Sequence, residues 1–380
     1  MTTAEKATKW VAFFLFLVLG GVRGQAQDAL SFRGLWVVRS SMTSRESIDA
    51  ALDFAKSNHF NHVFVQVRGR GDSYYDSRIV PKAKPVRNTP FDPLRYAVRT
   101  GHELGLKVHA WLNVYYVWSS DVPPEDPRHV VLRHPEWLDR PAPGHAPSSR
   151  SRFLSPNHPE VAVYLLAVFE EVLTEYGIDG LHLDYFRYRD ADMGYHDFAR
   201  WDFERRIGID PVMLLNKNNP GSNPVSQKER EPLSLRWDQH RRDAITSLLE
   251  QCNALILEEK PGCVLSVAVK PDPDQARSRF FQEWDRWLVQ GLVDYVIPMN
   301  YDPDLRTFAW TIDRIYGSIP PRYRPGIIMG IAVYNQDALD ARDKIRYTRI
   351  TGLRGISIFS YDAQKENPDF FIPIREEMLR

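Results

Sequence analysis

The residues with the clearest chemical potential lie in one short segment, GLHLDYFRY (180–188), where Asp184 is followed by Tyr185, Arg187 and Tyr188. Side chains alternate between the two faces of a strand. Leu181 and Leu183 therefore share one face, and His182 and Asp184 the other. In the run HVFVQVRGR (62–70), Val63, Val65 and Val67 oppose Phe64, Gln66 and Arg68; in KVHAWLNVYY (107–116), Val108, Ala110 and Leu112 oppose His109, Trp111 and Asn113. The apolar sets must meet a layer of helices, which turns the polar and aromatic sets toward an interior. A carboxylate at a strand end, such as Asp184, can act as nucleophile, general acid or general base. The plainer alternative is an Asp paired structurally with Arg187 or Arg68. His182, one layer deeper, reads as a hydrogen-bonded core histidine. His182-x-Asp184 alone makes a poor metal site, so no metal or other cofactor is expected.

Two further sets are weaker. Trp111, Tyr115, Tyr116, Trp118 and Trp137 cluster on or after the third run; aromatic faces suit sugar rings, but buried core is as common a fate for each. Asp72, Asp272, Asp274, Asp302 and Asp362 all follow strand ends, where most such residues cap helices or hold turns.

These residues need a scaffold. Eight strand-like runs (32–40, 62–70, 107–116, 180–188, 264–270, 293–301, 326–334 and 355–361) alternate with helical patterns near 46–57, 92–104, 158–176, 236–259, 281–290, 306–316, 337–349 and 368–379. Alternation of this kind specifies parallel βαβ units. Eight units without a remainder favour a closed (β/α)₈ barrel of the TIM type over an open sheet. No Gly-rich fingerprint follows the first strand, as a dinucleotide fold would require. Thr43 or Ser44 is the expected cap of the first helix. Long connections run from Val117 to about His158 and from Arg189 to about Leu235, the second with a short helix near 196–207. Both follow strands, the third and the fourth, and so lie on the C-terminal face, where barrel enzymes place their active sites.

Composition narrows the functions. The 380 residues carry 49 Lys plus Arg against 49 Asp plus Glu, a net charge of zero, so no global field draws the protein to nucleic acid. Lys6 and Lys9 precede an apolar run from Trp10 to Val22, and small residues Gly24 and Ala26 follow. That run is short for a membrane span, which needs about 20 residues. Residues 1–26 therefore read as a cleaved secretory signal, leaving 27–380 as a single barrel, exported to the periplasm or beyond, with no stable membrane insertion after cleavage. Export permits a Cys252–Cys263 disulfide, with two separate buried thiols as the alternative.

In order along the chain, FRGLWV, VQVRGRGDSYYDS with its later FDPL, KVHAWLNVY, HPEWL, FLSPNHPEV and IDGLHLDYFRYR, then more loosely VDYVIPMNYD and GISIFSYD, resemble the glycosyl hydrolase-like 10 family of bacterial envelope proteins. The resemblance covers roughly residues 32–362. It implies a TIM-type barrel with glycosidase activity, some members resembling hydrolases of peptidoglycan strands that lack stem peptides. By position it implicates Arg68, Asp72, Asn113, Asp184, Arg187 and Tyr301. Trp111, Tyr115 and Tyr185 join them as candidate sugar contacts. The chain departs from the family's pattern at Met299, Asp302, Arg189 and the Val269-Lys270-Pro271 end of the fifth strand.

Glycosidases usually place two carboxyl groups across the scissile bond, about 5–5.5 Å apart for retention and about 6.5–9.5 Å for inversion. Asp184 is the first. The expected second is Asp72, with Asp302 as the competitor, although strict alternation turns Asp302 away from the interior. A non-catalytic glycan-binding protein of the envelope is the competing function, and a second carboxyl within about 10 Å of Asp184 distinguishes the two.

Overall fold

A computed structural model describes residues 30–146, 150–215 and 225–380; the proposed signal segment lies outside them. Eight parallel strands form the frame: β1 (Phe32–Val37), β2 (His62–Arg68), β3 (Lys107–Asn113), β4 (Gly180–Asp184), β5 (Val264–Val269), β6 (Tyr295–Pro298), β7 (Ile328–Ala332) and β8 (Gly355–Phe359). Their spatial order is β6-β5-β4-β3-β2-β1-β8-β7. Parallel bridges Val296–Ile327 and Met299–Gly330 join the two ends and close the barrel. Gly330 makes that seam possible: a Cβ there would meet the Pro298 carbonyl at 2.8 Å and the Met299 Cα at 3.3 Å, so a side chain would push β6 and β7 apart.

The helices of the outer layer are α1 (Arg45–Ser57), α2 (Pro93–Glu103), α3 (Pro159–Glu175), α4 (Gln227–Glu259), α5 (Trp284–Val289), α6 (Leu305–Ser318), α7 (Ala338–Ile350) and α8 (Ile372–Met378). Ser44, rather than Thr43, caps α1 through a capping box with Ser47. The largest difference from the sequence reading is α4, which starts nine residues before the expected 236. Pro232 reads as a breaker, yet Ser226 and Glu229 close a capping box ahead of it and the helix runs through the proline.

Two apolar layers result. The outer one packs Val63, Val65, Val67, Val108, Ala110, Leu112, Leu181 and Leu183 against the helices. The inner one fills the lumen with Phe32, Trp36, Phe64, Trp111, Ile297 and Ile328. Cys252 and Cys263 are both free and buried, so of the two alternatives the structure has separate thiols.

The long connections after β3 and β4 carry structure of their own. A two-stranded antiparallel ribbon pairs Tyr116–Trp118 with Arg152–Phe153, and a helix spans Asp197–Ile207. Among the described residues no helix is long and apolar enough to cross a membrane.

Candidate active site

Strand register sets the first contact. Asn113 and Asp184 are direct partners across β3 and β4, as are Trp111 and His182 one layer below, and all four point into the lumen. Above them opens a cavity of about 400 Å³ at the C-terminal end of the barrel, lined by Asp184, Asn113, Trp111, Tyr185, Arg187 and Tyr301 together with Trp36, Val38, Arg39, Gln66, Tyr116, Ala268, Met299 and Phe359.

Asp184 is buried, and one of its oxygens accepts the Tyr185 main-chain N–H at 2.6 Å. Burial pushes its carboxyl above the ordinary carboxylate range, opposed by Arg187, by that N–H and by Lys270. The Trp111 indole N–H also favours the ionised form, but it falls short of hydrogen-bond geometry and is left without a partner. Tyr185 holds a positive φ of 49°. A bulky residue there is strained by about 1–3 kcal/mol, a cost that tends to collect at functional sites. That turn lets both Tyr185 and Arg187 face the cavity. Tyr185 stacks on Tyr116 at 4.7 Å, and the Arg187 guanidinium lies 4.6 Å from the Tyr185 ring centre.

His182 lies below this layer. Its Nδ1 pairs with the Ser266 hydroxyl and the Trp36 indole N–H reaches its Nε2, and burial lowers its pKa to about 3. It is a neutral core histidine. Among the described residues no group of three His, Cys, Asp or Glu side chains is placed to hold a metal.

Four of the expected site residues are placed elsewhere. Arg68 does not enter the cavity. The ladder between β2 and β3 slips, pairing Gln66 with Trp111 but Arg68 with Leu112. Val67 is thus the extra residue of a bulge, and a one-residue slip reverses the face. Arg68 consequently points outward, fully buried, donating to the carbonyls of Asn113 and Val114 with its guanidinium 5.9 Å from the Tyr164 ring. Tyr115 also turns outward. Regular β3 ends at Asn113, alternation lapses, and Tyr115 packs on Phe186 at 5.6 Å while Tyr116 takes the place on the cavity wall.

Neither expected partner of Asp184 lines the cavity. Asp72 accepts the Arg70 main-chain N–H in a turn, and Asp302 accepts that of Asp304 just before α6. Other rim acids are similarly engaged: Asp272 caps the helix Pro273–Arg279, and Asp362 accepts from Val38 N–H and the hydroxyls of Ser40 and Ser41. Asp184 is the single carboxyl among the residues lining the cavity.

Sequence reasoning missed Trp36, Arg39 and Phe359 as wall residues. The signal existed for Trp36: carrying the alternation through FRGLWV puts Phe32, Gly34 and Trp36 on one face. Arg39 lies beyond the strand, where no period applies, and is fixed by its bond to Gln66 Oε1 at 3.1 Å.

A closed eight-stranded barrel with a buried carboxyl and aromatic walls at the C-terminal ends of its strands has the architecture of TIM-barrel glycoside hydrolases. The chain belongs to the glycosyl hydrolase-like 10 family, whose model matches residues 31–361. It is similar to the glycosyl hydrolase DigH of Escherichia coli K12, 25% identical over 359 residues, covering 81% of this chain and 74% of that protein. It is also similar to the glycosyl hydrolase YngK of Bacillus subtilis, 21% identical over 77% of this chain and 59% of that one.

Among solved structures, the glycoside hydrolase domain of PgaB (BpsB) from Bordetella bronchiseptica superposes with a TM-score of 0.69 at 16% identity, covering 91% of this chain and 98% of that one. The catalytic domain of a β-amylase from Paenibacillus polymyxa superposes at 0.61 with 12% identity, covering 93% and 99%. At these identities the likeness concerns the fold.

Proposed function

We propose that this protein is an exported glycoside hydrolase that cleaves an envelope or extracellular glycan, with peptidoglycan strands the first substrate to test. The observation that carries the reading is the position of Asp184: a buried carboxyl among Trp111, Tyr116, Tyr185 and Tyr301, at the strand ends of a hydrolase-type barrel. Burial holds its proton to higher pH, which suits a general acid that protonates the leaving oxygen. Asn113 is held in place by its bond to the Gly69 carbonyl and orients the wall beside the acid. A substituent of the sugar itself attacks the anomeric carbon from the other side as the leaving oxygen takes the Asp184 proton; water, giving its proton to the Asp184 carboxylate, then opens the intermediate, as in the substrate-assisted glycosidases that dispense with a second enzymic carboxylate.

The absence of a second carboxyl among the wall residues favours one other reading, a non-catalytic glycan receptor that uses the same aromatic walls. Incubating the mature protein with intact peptidoglycan, denuded peptidoglycan and a panel of neutral polysaccharides separates the two. New reducing ends, lost in Asp184→Asn, support the hydrolase; binding without cleavage of any substrate establishes the receptor. Export is tested separately: protein recovered from its producing cell should begin near Gln27, and an intact N-terminus in the cytosol would refute the signal peptide.

A further inference from the structure

On the β4–β5 side of the cavity two cations stand near each other, and the one cavity-lining carboxyl that their charges reach is Asp184. Arg187 is 8% exposed and lines the cavity, and its Nε is buried with no hydrogen-bond partner. Lys270, one residue past β5 and just outside the residues that line the cavity, sits close by: the Lys270 Nζ lies 4.7 Å and the Arg187 Cζ 5.6 Å from the centre of the same ring, Phe280. The Lys270 main chain is pinned by Gln282 Oε1 on its N–H and the Trp284 indole on its carbonyl.

Neither cation has a carboxylate within 4 Å among the described residues. The nearby Asp190 is already taken by Arg279 through two hydrogen bonds, at 2.8 and 2.7 Å. Arg39 adds a third cation on the opposite wall, where its guanidinium donates to the neutral Gln66 amide. Against these stands one carboxyl, Asp184. Like charges in a half-dry cleft repel each other and cost desolvation, so natural proteins seldom hold them unpaired without an anion to receive.

We infer that Arg187 and Lys270 form an anion subsite beside Asp184, and that the glycan taken by this cleft carries a negatively charged substituent, a carboxylate, sulfate or phosphate, on the sugar seated beside Arg187. The inference rests on the hydrolase or receptor reading of the cavity and adds the substrate's charge to it. Arg187 offers a planar guanidinium suited to a carboxylate and Lys270 a point charge. Lys270 then determines specificity, and Asp184 retains the chemistry.

Ligand-observed NMR at fixed ionic strength tests this with paired probes: N-acetylmuramate against N-acetylglucosamine, and D-glucuronate against D-glucose, with sodium sulfate alone as a third arm. The acidic sugar of each pair should bind on the order of ten-fold tighter, the size expected of one charge-assisted contact. Lys270→Met should bring that ratio close to one and Lys270→Arg should restore it, with both variants melting as the parent does. Equal affinities within each pair, or a ratio unchanged in Lys270→Met, overturn the subsite. Sulfate binding that matches the acidic sugars and vanishes in Lys270→Met assigns the site to a free anion and overturns the glycan part of the inference. Hydrolysis of neutral and acidic glycans at the same rate refutes the subsite and leaves the hydrolase standing. Tight acidic-sugar binding without cleavage does the reverse.

Discussion

The two ends of the barrel treat their aspartates in opposite ways. At the N-terminal end, Asp179 accepts from Lys107, from His102 and from the Val108 main-chain N–H. Burial works against its charge, but those three partners hold its carboxyl below the usual range. His62 and His109 bond to each other at 2.8 Å and Phe32 stacks on His62 at 3.7 Å, with the His109 Nδ1 the one ring nitrogen of His109 left without a partner. At the C-terminal end, Asp184 keeps a single hydrogen bond from a neighbouring main chain, its carboxyl is raised, and the Arg187 Nε and the Trp111 indole N–H are left without partners. Satisfied polar groups stabilise a fold; unsatisfied ones in a cleft await a ligand. The contrast distinguishes site from scaffold more sharply than residue type does, since both ends hold an Asp, a Lys and aromatic rings.

The comparison breaks most readily through its two aspartates. Asp184→Asn should lower turnover by about 10²–10⁴-fold while the melting temperature stays within a few degrees. Asp179→Asn should leave turnover per folded molecule unchanged and cost about 1–3 kcal/mol of stability, read from urea unfolding. An Asp179 variant that lost activity while fully folded would erase the division between the two ends.

An effect of similar size is expected from Gly180→Ala at the scaffold end. A Cβ there would stand 2.1 Å from the His109 Nδ1 and 3.0 Å from the Val264 carbonyl, an overpacking that costs about 1–3 kcal/mol without touching the cleft. Arg187→Ala sharpens the other side. With that cation gone Asp184 is harder to ionise, so the limb of the pH–rate profile that Asp184 sets should move to higher pH.

The mildest test is pH alone. Burial lowers His62 to about 4 from an ordinary value of 6.5 and lowers His109 as well. In that window the unfolded chain binds the protons and the folded one does not, so stability rises with pH there. The urea midpoint should therefore be highest above about pH 6.5 and fall as the pH drops toward about 4.

Much of this architecture is legible in the residues. Alternating apolar positions in HVFVQV and LHLD, and the spacing of helical patterns between them, specify eight βα units, because only a parallel sheet covered by helices can bury both kinds of face. The same alternation places Asn113, Trp111, His182 and Asp184 in the lumen. Its failures are local and share one cause: a period of two holds only while the ladder is regular. The bulge at Val67 sends Arg68 outward, and the end of β3 does the same to Tyr115. The αL turn at Tyr185 brings Arg187 to the wall.

What no local pattern contains is distance across the barrel. Asp72 sits in a well-matched motif and Asp302 in a looser one, and the sequence ranks them in that order as partners of Asp184. Only closure of the sheet decides which side chains meet in one cavity. It leaves both of those acids in rim turns and brings Lys270 and Arg187, eighty-three positions apart in the chain, to one phenylalanine ring, Phe280. Strand alternation is a property of neighbours in sequence, whereas the company a charge keeps is fixed by the curvature and register of the whole barrel.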